Sequence, residues 1–137
     1  MNKKYELTGT SREINGVKCF QIRALRDFGN VKKGELGGWV GNENNLSHKG
    51  NCWIYDDAQV FDTAQISGNA RVSGNAKASG NVRISGKVWI FDDAQVSGHV
   101  RISGYIRIYG NVRITGKAQI TGDIWISNNI SENEAII

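Results

Sequence analysis

The chain has no proline among its 137 residues, and it has only two cysteines and two histidines. Proline cannot donate a backbone hydrogen bond, so its absence is typical of a fold in which nearly every N–H pairs with a neighbouring strand. Two cysteines provide no disulfide framework, and we expect Cys52 to be a reduced thiol in the core. The histidines, His48 and His99, are too few to indicate a metal cluster, so we predict neither a metal site nor a cofactor.

Long apolar runs and a strong charge of one sign are also missing. No stretch of 18 apolar residues is present that could span a membrane, and no apolar segment typical of a signal peptide precedes the strands. We therefore expect a soluble, cytoplasmic protein without a membrane partner. The net charge of +4 is modest, which makes nucleic acid a less favoured partner than protein. At 137 residues we expect a single domain.

A six-residue repeat fills most of the sequence. Between residues 52 and 129 the chain divides into thirteen blocks of six, such as ARVSGN and VRISGK, without an insertion or a deletion. The first and third positions are Ala, Val, Ile or Cys, which is the spacing of one face of a β-strand. The fifth position is mostly Gly and the sixth is often Asn, Asp or Lys, which suits a sharp corner with positive φ. Each block therefore predicts a short strand followed by a corner.

Three such blocks predict one coil of a three-sided solenoid. About 18 residues close a coil, and the first and third positions fill its core. Neighbouring coils then lie about 4.8 Å apart and share backbone hydrogen bonds. The predicted fold class is therefore all-β, a three-sided parallel β-helix with a hairpin cap at its amino-terminal end.

The blocks resemble those of the left-handed β-helix, or hexapeptide-repeat, proteins. The segment DFGNVKKGELGGWVGNENNLSHKGNCWIYDDAQV, residues 27–60, resembles the opening of the YdcK-type members, which are often carried by phages and prophages. In the usual hexapeptide motif a small residue directly follows the central aliphatic residue, whereas here Ser or Thr follows and Gly comes one position later. That spacing also resembles the bactofilins, whose three-sided helix is right-handed. The resemblance as a whole favours a left-handed helix.

Residues 1–45 do not follow the repeat and are predicted to cover the open end of the helix. Asn15-Gly16 predicts a hairpin with a type I′ turn, followed by a strand over residues 19–25. The Gly-rich run 33–39 lacks the lysine and hydroxyl of a phosphate-binding loop, so we predict a turn there. Residues after 45 are in phase with the repeat, although His48 stands where an aliphatic residue belongs. The predicted divisions are 1–45 for the cap, 46–130 for the β-helix and 131–137 for a carboxy-terminal tail.

One outward face differs from the other two because it carries large aromatic residues. Its second positions alternate between Trp and Arg, and three of its fourth positions are aromatic. Such a patch exceeds what monomers usually expose, so we predict a contact surface for a second copy of the chain or for another molecule. The alternative is a self-stabilising ladder covered by the amino-terminal segment. We call the predicted binding residues the Trp/Arg face: Trp53, Tyr55, Arg71, Trp89, Phe91, Arg107, Tyr109 and Trp125.

These observations predict a non-catalytic interaction module of phage or prophage type, which forms a homo-oligomer or binds a host protein through the Trp/Arg face. One alternative is a phage counter-defence inhibitor that blocks a host nuclease or sequesters a nucleotide signal. Another follows from the resemblance, since many left-handed β-helix proteins are acyltransferases that use a histidine base and extruded loops. His99 has no evident carboxylate partner and no loop interrupts the blocks, so we predict no catalytic residue. Acidic corner residues such as Asp56 and Asp92 are predicted to be solvated turn acids rather than cation ligands.

Overall fold

The computed structural model describes residues 3–130 and 135–136, and it is built almost entirely from short β-strands. The described residues contain one helical element, a 3-10 turn at Glu43–Asn45. Within the same residues, no helix has the length and apolarity needed to cross a membrane. The strands in chain order are β1 Tyr5–Ile14, β2 Val17–Ala24, β3 Leu36–Val40, β4 Trp53–Ile54, β5 Gln59–Val60, β6 Gln65–Ile66, β7 Arg71–Val72, β8 Lys77–Ala78, β9 Arg83–Ile84, β10 Lys87–Ile90, β11 Gln95–Val96, β12 Arg101–Ile102, β13 Tyr105–Ile108, β14 Arg113–Ile114, β15 Gln119–Ile120, β16 Asp123–Ile126 and β17 Ala135–Ile136.

The strands form three sheets, and each sheet is one side of a solenoid. Paired strands of the repeat are parallel and are separated by two intervening strands, because the chain visits each side once per coil. The register joins residues 18 apart, for example Arg71 with Trp89 and Trp89 with Arg107. The three-sided parallel β-helix is therefore confirmed, while its left-handed winding stays a prediction. The sheets are ordered β1-β2-β3-β5-β8-β11-β14, β16-β13-β10-β7-β4 and β17-β15-β12-β9-β6.

The core is a narrow column filled by the first and third positions of the repeat. Between residues 52 and 120 every one of these side chains is buried. Ile102 is 2% exposed, whereas Arg101 and Ser103 on either side of it are half-buried. The third position at Ala78 has lost its branched side chain, and Val60 and Val96 stack on either side of it in neighbouring coils.

The corners between strands stack closely from coil to coil. Gly68 has a positive φ, and a Cβ there would lie 2.8 Å from the backbone nitrogen of Gly86, so a larger residue does not fit. Asp56, Asp62 and Asp92 hold the same corner position with φ values of 56°, 57° and 58°. Each of their carboxylates accepts a hydrogen bond, 3.0 Å long, from the backbone N–H of the glycine one coil further on. Asp56 and Asp92 are exposed turn residues, as predicted, and their carboxylates in addition link successive coils.

The amino-terminal hairpin is confirmed and extends one side of the solenoid. β1 and β2 pair antiparallel around Asn15-Gly16, and both of these residues have positive φ. β2 also pairs antiparallel with β3, and β3 pairs in parallel with β5. The turn predicted over residues 33–39 is wrong in its second half, since β3 begins at Leu36. Glycine is needed at Gly38 because a Cβ there would lie 2.5 Å from the carbonyl oxygen of Ala58.

The first coil contains an enlarged corner that the repeat did not predict. Leu46 pairs with Ile66, whereas a spacing of 18 would pair it with Ala64. The chain between Leu46 and β4 is therefore longer by two residues than in the other coils. For this reason Leu46, and not His48, takes the inward position that pairs with Ile66. Parallel stacking also begins at β3, before the predicted boundary at residue 46.

Candidate interaction face

The Trp/Arg face lies on the sheet formed by β4, β7, β10, β13 and β16. Tyr55, Phe91 and Tyr109 directly follow three of these strands. The second-position side chains therefore form one row, as their spacing of 18 predicts, but their exposure changes along it. In order, the row consists of Trp53, Arg71, Trp89, Arg107 and Trp125.

Trp53, at one end of the row, is fully buried, which corrects its prediction as an exposed contact residue. Tyr5 and Phe28 pack edge-on against its indole, with ring centroids at 6.2 Å and 5.2 Å. Both residues belong to the amino-terminal segment, which therefore covers this end of the ladder as the alternative prediction proposed. Tyr55 beside it is half-buried, and burial raises the pKa of its phenol. The exposed part of the face is shorter than the sequence indicated.

Lys4 and Tyr5 fasten the amino-terminal segment over Trp53. The buried Nζ of Lys4 donates to the carbonyl oxygens of Cys52, at 2.7 Å, and Gly50, at 3.3 Å. Burial lowers the pKa of Lys4 and raises that of the Cys52 thiol, which is free and buried as predicted. The Tyr5 hydroxyl lies 2.6 Å from the Leu46 carbonyl oxygen. No motif in the sequence distinguished Lys4 or Tyr5, because their partners lie in the enlarged corner.

His48 completes this anchor. Its ring stacks on Tyr5 at a centroid distance of 4.2 Å. Its Nδ1 accepts from the Lys4 backbone N–H at 3.1 Å, so the proton is on Nε2, which donates to the Glu43 carboxylate at 3.0 Å. This hydrogen bond lowers the pKa of Glu43. His48 therefore holds the segment in place and is not available as a base.

The other end of the row carries an exposed ladder of aromatic rings, formed by Trp89, Phe91, Tyr109 and Trp125. Trp89 is 36% exposed and Trp125 is 71% exposed. Successive centroids along the ladder lie 4.7, 5.6 and 6.1 Å apart. The Arg107 guanidinium lies 5.4 Å from the Trp89 ring, within the range of a cation–π contact. This end of the face thus presents a continuous aromatic surface with an embedded cation.

Tyr105 belongs to this surface although the sequence analysis did not include it. It occupies a corner position, is 55% exposed, and has the Lys87 ammonium 5.1 Å from its ring. The spacing of 18 from Lys87 to Tyr105 was the available signal, since the two residues pair in neighbouring strands. Tyr105 stands at the sixth position of its block, whereas the outward face was predicted from second and fourth positions.

Comparisons with known proteins agree with this architecture. The family model described as the YdcK beta solenoid repeat matches residues 64–77 and 107–122. A protein of Escherichia coli (strain K12) that is named uncharacterized acetyltransferase YdcK is 41% identical to the chain over 56 residues. The chain is a β-helix repeat protein that is similar to the YdcK type over these stretches. The aligned stretch covers 41% of this chain and only 16% of the E. coli protein, so the chain spans a small part of that relative.

Side chains suited to acyl transfer are sparse in this solenoid. His99 is exposed at a corner, and its Nδ1 lies 3.4 Å from the side-chain amide of Asn81. Within residues 3–130 no carboxylate is hydrogen-bonded to His99. The described residues also contain no group of three His, Cys, Asp or Glu side chains that could hold a metal ion. The surface mainly offers aromatic rings, guanidinium groups and amides, which are suited to binding a partner.

Proposed function

We propose that this protein is a non-catalytic interaction module of phage or prophage type that forms a homo-oligomer through the exposed part of the Trp/Arg face. The proposal is carried by the exposed ladder, in which four aromatic rings contact one another along one side of the solenoid. Within residues 3–130, no segment packs over Trp125, whereas Tyr5 and Phe28 cover Trp53. A contiguous exposed aromatic surface is typical of an interface.

The exposed aromatic residues make the face complementary to itself. In two copies related by a two-fold axis, Trp125 and Tyr105 of each copy can pack against the aromatic rings of the other, so every contact is formed twice. Trp125 and Tyr105 are each more than half exposed, at 71% and 55%, and both would be removed from water. Aromatic residues and Arg are enriched in interface cores for these reasons. A second copy therefore satisfies the chemistry of the face without any further component.

Light scattering coupled to size-exclusion chromatography tests the oligomer. We expect the wild type to elute as a dimer or larger assembly and Trp125→Asp to elute as a monomer, because a carboxylate would be buried in the contact. Gln119→Asp is the matched control, since it introduces the same charge at an exposed position on a different side. A monomeric wild type, or a Trp125→Asp variant that remains oligomeric, would contradict self-association. A host protein captured by the wild type but not by Trp125→Asp would then identify the other predicted kind of partner.

The name of the E. coli relative favours a second candidate, an acetyltransferase activity. His99 would be its general base, at a cleft completed by a second copy, because the other histidine is held in the anchor. Release of free thiol from acetyl-CoA, in the presence of a panel of amine and alcohol acceptors, measures this activity directly. Under the non-catalytic proposal we expect release at the background rate. Release that is abolished in His99→Ala and retained in Asn81→Ala would replace the proposal with the acetyltransferase.

A further inference from the structure

A groove of about 400 Å³ lies between the covered and the exposed ends of the Trp/Arg face. One wall consists of corner residues that stack at a spacing of 18, together with the loop at Gly29 and Asn30. A Cβ on Gly29 would lie 3.4 Å from the Asn51 side chain, so the loop packs directly on the corner row. The opposite wall is formed by the second-position residues Arg71, Trp89 and Arg107 of the Trp/Arg face. The polar and aromatic side chains that line the groove are Asn30, Asn51, Asn69, Lys87, Tyr55, Arg71, Trp89 and Arg107.

The groove brings together three cationic side chains and no acidic one. Arg71 and Lys87 are exposed and Arg107 is half-buried. Among residues 3–130, no carboxylate comes within ion-pair distance of any of the three. Cations that converge without a carboxylate repel one another, and an anion with several oxygens relieves the repulsion and accepts their hydrogen bonds. This arrangement favours a phosphate or polyphosphate group over a neutral ligand.

The remaining lining residues suit a planar, hydrogen-bonding group beside the phosphates. The Trp89 indole is held in a fixed orientation, because its Nε1 donates to the Ser73 hydroxyl at 2.8 Å. A fixed indole offers a surface for a nucleobase at little entropic cost. Side-chain amides such as those of Asn51 and Asn69 both donate and accept hydrogen bonds, as base edges and ribose hydroxyls require. The volume is also within the range of small-molecule sites, about 300–1,000 Å³.

We propose that this groove binds a nucleoside polyphosphate. The phosphates contact Arg71, Lys87 and Arg107, and the base packs against Trp89. The site goes beyond the proposed oligomer, because Trp125 does not line it, although Arg107, which does, pairs with Trp125 in the neighbouring strand. Its ligand is bound and not transformed, since binding requires only the side chains already present.

Isothermal titration calorimetry with ADP tests the site, with adenosine and inorganic pyrophosphate as the two partial probes. We expect ADP to bind more tightly than either probe, because only ADP fills both halves of the groove. Arg71→Gln should weaken ADP binding by about tenfold or more, since it removes one charge-assisted contact to phosphate. Arg113→Gln is the matched control, because Arg113 is also exposed, belongs to another side of the solenoid and lies outside the groove. Both changes affect exposed side chains, so neither should unfold the protein.

The outcomes separate this proposal from the proposed oligomer. Trp125→Ala removes a ring outside the groove lining and places no charge beside Arg107, so it should weaken self-association and leave ADP binding unchanged. Absence of ADP binding at millimolar concentration would overturn the proposal, as would equal weakening by Arg71→Gln and Arg113→Gln. If pyrophosphate binds as tightly as ADP, the groove takes a simple polyphosphate, and the nucleoside part of the proposal is wrong.

Discussion

Trp53 and Trp125 occupy the same row of the same sheet, yet one is fully buried and the other is 71% exposed. Both sit at the second position of a block, flanked by inward-facing aliphatic or thiol side chains. The difference comes from distant parts of the chain, since Tyr5 and Phe28 cover Trp53. The repeat therefore decides which side of the solenoid a residue faces. Whether that residue is available to a partner depends on contacts outside the repeat.

Each end of the row uses its aromatic residues for a different purpose. At the covered end, Trp53 packs in the core beneath Tyr5 and Phe28 of the amino-terminal segment, and buried Lys4 anchors that segment. At the exposed end, the rings contact one another but nothing covers Trp125 in the described residues. Replacing equivalent residues at the two ends should consequently affect stability at one end and association at the other.

The largest difference is expected from the same substitution at the two tryptophans. Trp53→Ala should lower the free energy of unfolding by about 3–5 kcal/mol, because it leaves a cavity beneath Tyr5 and Phe28. Trp125→Ala should change it by about 0.5 kcal/mol or less in the monomer, since the side chain is mostly in water. Urea denaturation at low protein concentration measures both. Similar losses for the two variants would show that the ends do not differ in the way described.

A smaller effect is expected from the anchor that holds the cover in place. Lys4→Met should cost about 1–3 kcal/mol, because the buried carbonyl oxygen of Cys52 and the partly buried one of Gly50 lose their donor. Lys3→Met is the matched control, since Lys3 is exposed and its ion pair with Glu43 contributes at most about 1 kcal/mol. Urea denaturation of both variants compares a buried lysine with an exposed one. An equal loss for the two would mean that the Lys4 hydrogen bonds contribute little.

The smallest expected effect is the contribution of Glu43 to the free energy of unfolding, which should change at acidic pH. The pKa of Glu43 is lowered in the folded protein, chiefly by the hydrogen bond from His48. A carboxyl whose pKa is lower in the folded protein contributes its full stabilisation above its unfolded pKa of about 4.3. That contribution is lost as the pH falls through its folded pKa. Because the side chain is 43% exposed, we expect only a few tenths of a kcal/mol. The stability difference between wild type and Glu43→Gln should therefore shrink as pH falls below about 4, and a difference that grows would contradict this sign.

The regular part of the fold was predictable because every block repeats the same local rule. The spacing of apolar residues at positions such as Val100 and Ile102 fixes a strand face, and the corner residue fixes a bend. The stacking of Arg71 beside Trp89 then follows from counting 18 residues. None of these steps requires knowledge of a distant contact.

The amino-terminal layer was not predictable in the same way. β3 looks like a turn because Gly37 and Gly38 dominate its composition, and the reason for glycine is close backbone packing rather than a bend. The enlarged corner after Leu46 is invisible without its partner Ile66. Burial of Trp53 likewise depends on Tyr5, which is far away in sequence and has no repeat to mark it. The limits of the candidate face were set by these contacts, which sequence spacing does not encode.

The aspartate corners recur at every second coil along one edge of the solenoid. Along one edge, Asp56 and Asp92 alternate with Gly74 and Gly110, and each carboxylate reaches the glycine N–H of the following coil. Acids in every coil would place like charges about 4.8 Å apart, whereas alternation doubles that separation. Alternation therefore gives this edge a hydrogen bond from carboxylate to backbone at every second coil while keeping the charges apart.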